Sequence, residues 1–297
     1  MKIICLNPEF SLAQSVAELC NSKCLFPQTH TFPDGEHYLR LEEDVRGDTV
    51  VIFAQLHQPD QSILPLLFSA GFVRDQGAEK VILVAPYLTY MRQDTQFQPG
   101  ECVTSRYFAS LISQWFDGLI TVDPHLHRYH SLDEIYSIPS KVVHADQSIA
   151  RWIRNNVLNP VIIGPDEESA QWAERVAEMA GCSSTVMTKT RRGDTDVDIH
   201  IGNVEQFQES QPVLVDDIIS TGRTLIETAV NITDAGLKAP ICIGVHALLA
   251  GDAESLLNHS PVSEWLSCNT VPHISNRIDL ADDIASALKT FLVEANL

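Results

Sequence analysis

Two adjacent carboxylates, Asp216 and Asp217, close an apolar run in the stretch VLVDDIISTGRTL (residues 213–225), and small hydroxyl-bearing residues follow. Helix-like sequence comes directly after them. Backbone N–H groups at a helix N-terminus, with the positive end of the helix dipole, suit a phosphate. Ser220, Thr221 and Thr224 add hydroxyl donors, Arg223 adds a cation, and Gly222 lets backbone come close. The aspartates repel a phosphate. They can accept hydrogen bonds from vicinal hydroxyls or hold Mg²⁺ through water. Hydroxyls beside a phosphate describe a phosphorylated sugar. The loop lacks the Gly-Lys-Ser/Thr of a Walker A motif.

Three further apolar runs end in residues able to do chemistry: ITVDPH reaches His125, VIIGPDE reaches Asp166, and VMTKTR carries Lys189 and Arg191. In open α/β sheets, ligands bind outside the carboxyl ends of strands. A lone Asp at such a place also serves as a helix cap; four such ends together favour a site.

The elements that must position these groups read as alternating strands and helices. Strands are expected in KIICL, TVVIFAQL, KVILVAPYL, GLITVDPH, PVIIGPD, STVMTKT, PVLVDD and ICIGVHALL, several almost wholly apolar, as strands buried on both faces are. TSRYFASLISQWF places Tyr107, Phe108, Leu111, Ile112 and Phe116 on one helical stripe. ESAQWAERVAEMAG groups Ala170, Ala173, Val176 and Ala177 and stops at Gly181. The helix after the 213–225 loop groups Ile226, Ala229 and Val230. This alternation predicts an α/β fold with mainly parallel sheets. A weak internal echo divides it into domains at 1–144 and 145–297, with SLDEIYSIPSKVVHADQS as the boundary region.

The 297 residues carry a net charge of −19, which argues against nonspecific nucleic-acid binding. No run approaches a membrane span, so no membrane partner is expected. Seven scattered cysteines fit no disulfide framework and suggest a reducing cytoplasm.

The 213–225 loop resembles the phosphoribosyl-binding signature of type I phosphoribosyltransferases. TFPDGEHYLRL (31–41), APYLTYMRQDTQFQPGECVTSRYFASLI (85–112), TVDPH (121–125), TKTRRGDTDVDI (188–199) and VPHISNRIDLADDIASAL (271–288) are similar, in order, to the ribose-phosphate pyrophosphokinase family. The resemblance implies two tandem phosphoribosyltransferase-like domains, each a mainly parallel sheet flanked by helices. It also implies transfer of the β,γ-diphosphoryl group of ATP to the C1 hydroxyl of ribose 5-phosphate, with Mg²⁺. Carried over residue by residue, it implies that Phe32 stacks on adenine while Asp34 and Glu36 read its polar edge. This hairpin would come from a neighbouring subunit, hence a homo-oligomer. Arg92, Gln93 and Asp94 would bind ATP, with Arg92 on its phosphates. His125 would meet phosphate or Mg²⁺, and Asp166 would organise a second ion. Lys189 and Arg191, in a loop, would stabilise charge on the transferring group. Asp216, Asp217, Ser220, Thr221, Gly222, Arg223 and Thr224 would hold ribose 5-phosphate. Two other readings stay open: a phosphoribosyltransferase consuming phosphoribosyl pyrophosphate, and a non-catalytic regulatory homologue.

Overall fold

The computed structural model describes residues 1–126, 128–165, 169–191, 197–201 and 204–297, with backbone alone for 188–191 and 197–201. Two compact units are present: Met1–His144 with 270–272 and Leu280–Leu297, and Ala145–Asn269 with His273–Asp279.

The first unit runs β1 (Lys2–Cys5), α1 (Ser11–Leu19), β2 (Cys24–Leu25), the hairpin β3 (Gln28–Thr31) and β4 (His37–Arg40), β5 (Thr49–Phe53), α2 (Pro59–Asp75), β6 (Lys80–Ala85), α3 (Thr104–Trp115), β7 (Gly118–Val122) and β8 (Ser140–Val143). Its six-stranded parallel sheet has the order β2-β1-β5-β6-β7-β8. The apolar runs of β5, β6 and β7 are buried because helices cover both faces. The boundary stretch expected at 131–148 contributes β8 to this sheet.

The second unit holds α4 (Asp146–Asn156), β9 (Pro160–Gly164), α5 (Ala170–Ala180), β10 (Ser183–Arg191), β11 (Val197–Ile201), β12 (Gln211–Ile219), α6 (Arg223–Asp234), β13 (Ile241–Ala247), α7 (Ala253–Asn258), β14 (Glu264–Cys268) and β15 (Asn276–Ile278). Its sheet order is β11-β10-β9-β12-β13-β14-β15, parallel except for the β10–β11 pair. Asp146, 4% exposed, anchors α5 by accepting from Trp172 Nε1 and, at 3.0 Å, from Arg175 Nε.

The last helix, α8 (Ala281–Glu294), belongs to the first unit, whereas the sequence pattern groups residues 145–297 together. It buries Ile284, Ala285, Leu288 and Phe291. Lys289 Nζ donates to the Leu19 carbonyl at the end of α1 (2.8 Å), and Glu294 pairs with Lys141 of β8 (3.3 Å).

Two helical stripes differ from their expected faces. On α3, Phe108, Ala109 and Ile112 are buried, while Tyr107 is 69% exposed. On α6 the inward residues are Leu225, Thr228, Ala229 and Ile232, and Val230 points out. A hydroxyl (Thr228) and a small residue (Ala109) complete those faces, where hydrophobicity alone selects larger apolar neighbours.

Candidate functional site

In each sheet the chain reverses its direction of travel once. β1 leads through α1 out to β2, and β5 then takes the opposite side of β1; β9 leads through α5 to β10, and β12 takes the opposite side of β9. Connections diverge at such a point and leave a crevice at the carboxyl ends of the strands.

The 213–225 stretch occupies this position in the second unit. β12 does not stop at Asp217, as its sequence suggests, but continues through Ile219, because Ile218 and Ile219 still pair with His246 and Ala247 of β13. The two acids are therefore held within a strand, both half-buried. The Asp217 N–H donates to Asp216 Oδ1 at 3.0 Å. The connecting turn is only Ser220–Gly222. Its start is clamped from the segment after β13: Leu248 and Leu249 donate to the Ile219 carbonyl (2.9 and 3.1 Å) and Ala250 donates to that of Ser220 (3.0 Å). Gly222 sits at φ +71°, a left-handed conformation that disfavours other residues, and forms the N-cap of α6 without any side-chain cap. The first-turn N–H groups of a helix have no intrahelical acceptor, so an anion can take them. Thr221, Arg223 and Thr224 are exposed around that turn. Arg223 and Thr224 are already helical, two residues earlier than the sequence pattern indicates.

In the first unit, candidate residues sit beyond β6 and β7. Tyr90 (φ +60°) lies two residues before Arg92, and Asp123 (φ +30°) two before His125. Non-glycine residues in this region store backbone strain, which gathers at functional positions. The Tyr90 hydroxyl donates to Asp60 Oδ1 at 2.9 Å; burial, and then that carboxylate, pushes the phenol above its usual range. Arg92 is exposed and Gln93 half-buried, but Asp94 is only 4% exposed. Its carboxylate accepts from Arg128 Nη1 (3.0 Å) and its carbonyl from Tyr129 Oη (3.0 Å). Asp94 thus positions the segment that displays Arg92. Glu101 organises the neighbouring turn, with Oε2 accepting from the N–H groups of Phe97 (2.7 Å) and Gln98 (3.0 Å). Arg128 lies 5.1 Å above the Phe97 ring. His125 is half-buried, and beside it Asp123 Oδ1 lies 2.7 Å from His144 Nδ1. Arg128 and His144 carried no sequence signal, since their partners Asp94 and Asp123 lie 34 and 21 residues away.

Phe32, 43% exposed, stands at the β3–β4 turn. The turn is closed by Phe32 N–H to the Glu36 carbonyl (2.8 Å) and Gly35 N–H to the Phe32 carbonyl (2.9 Å), and Asp34 Oδ1 accepts from the Glu36 N–H (3.3 Å). His30 stacks on Tyr38 at 4.5 Å between centroids and meets Phe32 edge-on at 4.7 Å.

Lys189 and Arg191 lie on β10 rather than in a loop, paired in register with Ile199 and Val197 of β11. Two residues apart on a strand, they occupy the same face. Asp166 lies outside the described residues, as do Glu167, Glu168 and Arg192.

Comparison with known proteins gives a consistent picture. Residues 1–115 match the family model for the N-terminal domain of ribose phosphate pyrophosphokinase, and residues 131–283 match that for the phosphoribosyl transferase domain. The ribose-phosphate pyrophosphokinase of Methanobrevibacter smithii is 31% identical, with 94% of this chain and 96% of the relative covered. That of Methanopyrus kandleri is 30% identical over 97% and 99%. The crystal structure of phosphoribosylpyrophosphate synthetase from Mycobacterium smegmatis superposes with a TM-score of 0.85 over 100% of this chain and 99% of that one; at 21% identity this is a likeness of fold.

Proposed function

The chain belongs to the ribose-phosphate pyrophosphokinase family, and from that premise we propose how its residues transfer the β,γ-diphosphoryl group of ATP to the C1 hydroxyl of ribose 5-phosphate, giving phosphoribosyl pyrophosphate and AMP. The observation that carries the assignment of residues is the β12–α6 junction. Two half-buried carboxylates lie within a strand, and the uncapped N-terminus of a helix opens a few residues later. Asp216 and Asp217 accept from the ribose hydroxyls. Ser220, Thr221, Arg223, Thr224 and the amides around Gly222 take the 5-phosphate. A sugar phosphate held at both ends keeps its C1 oxygen at a fixed place, and positioning of this kind supplies much of the acceleration in phosphoryl transfer.

ATP is taken by first-unit residues. Phe32 stacks on adenine, Asp34 and Glu36 read its polar edge, and Arg92 meets the phosphates, with Gln93 and Asp94 holding the Arg92 segment. The C1 hydroxyl gives up its proton to solvent as its oxygen attacks Pβ, the bond from Pβ to the oxygen bridging Pα breaks, and AMP leaves. Lys189 and Arg191 offset the negative charge that builds during transfer.

The metal belongs to the same proposal. Among the described residues no three metal-ligating side chains cluster. Mg²⁺ needs no such cage, since it uses one or two carboxylates, waters and substrate phosphates. His125, Asp166 and the water-bridging carboxylates Asp216 and Asp217 suit it in that way. When bound, the ion neutralises phosphate charge. Asp123, held by His144, fixes the backbone that presents His125.

All four side chains of β3 are exposed, which suits a hairpin that serves a neighbouring subunit, so we include a homo-oligomer. We place the enzyme in the cytoplasm: its seven cysteines are free, and no described helix is long and apolar enough to cross a membrane. The test is AMP release from ATP, Mg²⁺ and ribose 5-phosphate. Stoichiometric AMP and phosphoribosyl pyrophosphate are expected; ADP as product, or no reaction, overturns the assignment.

A further inference from the structure

The first unit has its own chain reversal, between β1 and β5, and the reaction proposed above makes no use of it. A cleft of about 440 Å³ opens there, within the size range of small-molecule sites. Its floor is Leu6 and Asn7, directly after β1, and Ala54 and Gln55, directly after β5. The start of α2 and the β3–β4 hairpin form its sides. None of the residues assigned above to ATP, ribose 5-phosphate or Mg²⁺ lines it.

The chemistry of the walls differs from that of the β12–α6 junction. None of the sixteen lining residues is Asp, Glu, Lys or Arg, in a chain whose residues are 20% charged. Gln58, the N-cap of α2, has the left-handed φ (+55°) that Gly222 has in front of α6, and again no side chain caps the helix. Here, however, Pro59 removes one first-turn N–H and Asp60 puts a carboxylate on that turn. Both changes disfavour an anion. What remains are neutral hydrogen-bonding groups. Asn7 Nδ2 already donates to Gln55 Oε1 at 2.6 Å. Among the described residues the side chains of His57, Gln58, Gln61 and Ser62 make no hydrogen bond within the protein. Flat apolar surface comes from Tyr38, stacked on His30, and from Phe68, which is 52% exposed.

Open amides and hydroxyls between aromatic faces, with no charge to meet a phosphate, suit a planar heterocycle with several donors and acceptors. We propose that this cleft is a second ligand site, taking an uncharged nucleobase or nucleoside. No residue assigned to a substrate lines the site, although Phe32 packs edge-on against its wall residue His30, and the proposal stands whether or not the diphosphoryl transfer runs as proposed.

The test is calorimetric titration of adenosine, guanosine, cytidine, uridine and their 5′-monophosphates into the full chain. Two variants accompany the wild type: Ser62→Trp, which fills the cleft, and Gln61→Trp, at an exposed position of the same turn that the fold tolerates. At least one nucleoside should bind one per chain with a Kd below about 1 mM and weaken about tenfold or more in a Trp variant. AMP formation by both variants should stay within about twofold of wild type. The proposal is overturned if no nucleoside binds below about 1 mM, if neither substitution weakens binding by about tenfold, or if the monophosphates compete as tightly for the same Trp-sensitive site.

Discussion

Gly244 of β13 lies in register with Asp216, and a Cβ added there would fall 2.4 and 2.5 Å from Cγ1 and Cδ1 of Ile219. Carbon atoms in contact normally stand about 3.5–4.0 Å apart. Gly244→Ala therefore forces Ile219 off its rotamer or pushes β12 away from β13 by roughly 1 Å. Ile219 is 1% exposed and immediately precedes the turn at Ser220, so either response moves that turn. Overpacking of this kind costs about 1–3 kcal/mol, which lowers Tm by about 2–12 °C at about 2–4 °C per kcal/mol. Misplacing the turn proposed to hold the 5-phosphate should raise KM for ribose 5-phosphate about tenfold, within the penalty known for shifts near 1 Å. KM for ATP should change less than about twofold, since the change leaves uniform ATP binding untouched. The overlap is with Ile219 alone, so Ile219→Ala supplies the control. By itself it costs about 2–4 kcal/mol as a large-to-small change in a buried site. The double variant should be no less stable than Ile219→Ala, a coupling of about 1–3 kcal/mol. Thermal unfolding and steady-state kinetics of the four proteins measure both quantities. Additive stabilities within about 0.5 kcal/mol, or an unchanged KM for ribose 5-phosphate in Gly244→Ala, refute the reasoning.

Lys189→Ala should lower kcat about a thousandfold, the loss expected when one charge-stabilising donor is removed, with an unaltered circular dichroism spectrum; near-wild-type turnover discards its role. Phe32→Ala removes the ring proposed to stack on adenine, a contact worth about 1–3 kcal/mol, so KM for ATP should rise about tenfold or more. Its Tm should fall less than about 2 °C because the ring sits half in solvent at a hairpin turn. Burial pushes the Cys5 thiol up to about 12 and that of Cys24 to about 11. At pH 8 only about 1 in 10⁴ and 1 in 10³ of them are thiolate, and raising the pH increases both fractions. Iodoacetamide at pH 8 followed by mass mapping should label exposed Cys102 well before either.

The strands were legible where helices cover both faces of a sheet, as in Val50–Phe53 and Val81–Ala85, because such burial leaves a continuous apolar run. The β12–α6 junction was legible for another reason: its acids, hydroxyls and glycine are contiguous. Its length was not, because the pairing of Ile218 and Ile219 is set by β13. Distance along the chain hid the rest. Asp94 reads as a substrate contact in the RQD segment, yet Arg128, 34 residues later, claims its carboxylate. The stripe on α3 misplaced Tyr107, since hydrophobicity does not say which side of a helix its neighbours occupy.

The placement of α8 has a consequence for biosynthesis. The ribosome releases β1 through β8 long before it translates Ala281–Glu294, and the surface of α1 and β8 waits for that final segment. The second unit can close first, although its residues are made later. A released chain that stops before Leu280 would therefore show a folded second unit following a first unit still open to proteases. Loss of the last eighteen residues, Leu280–Leu297, would be a lesion of the enzyme's beginning.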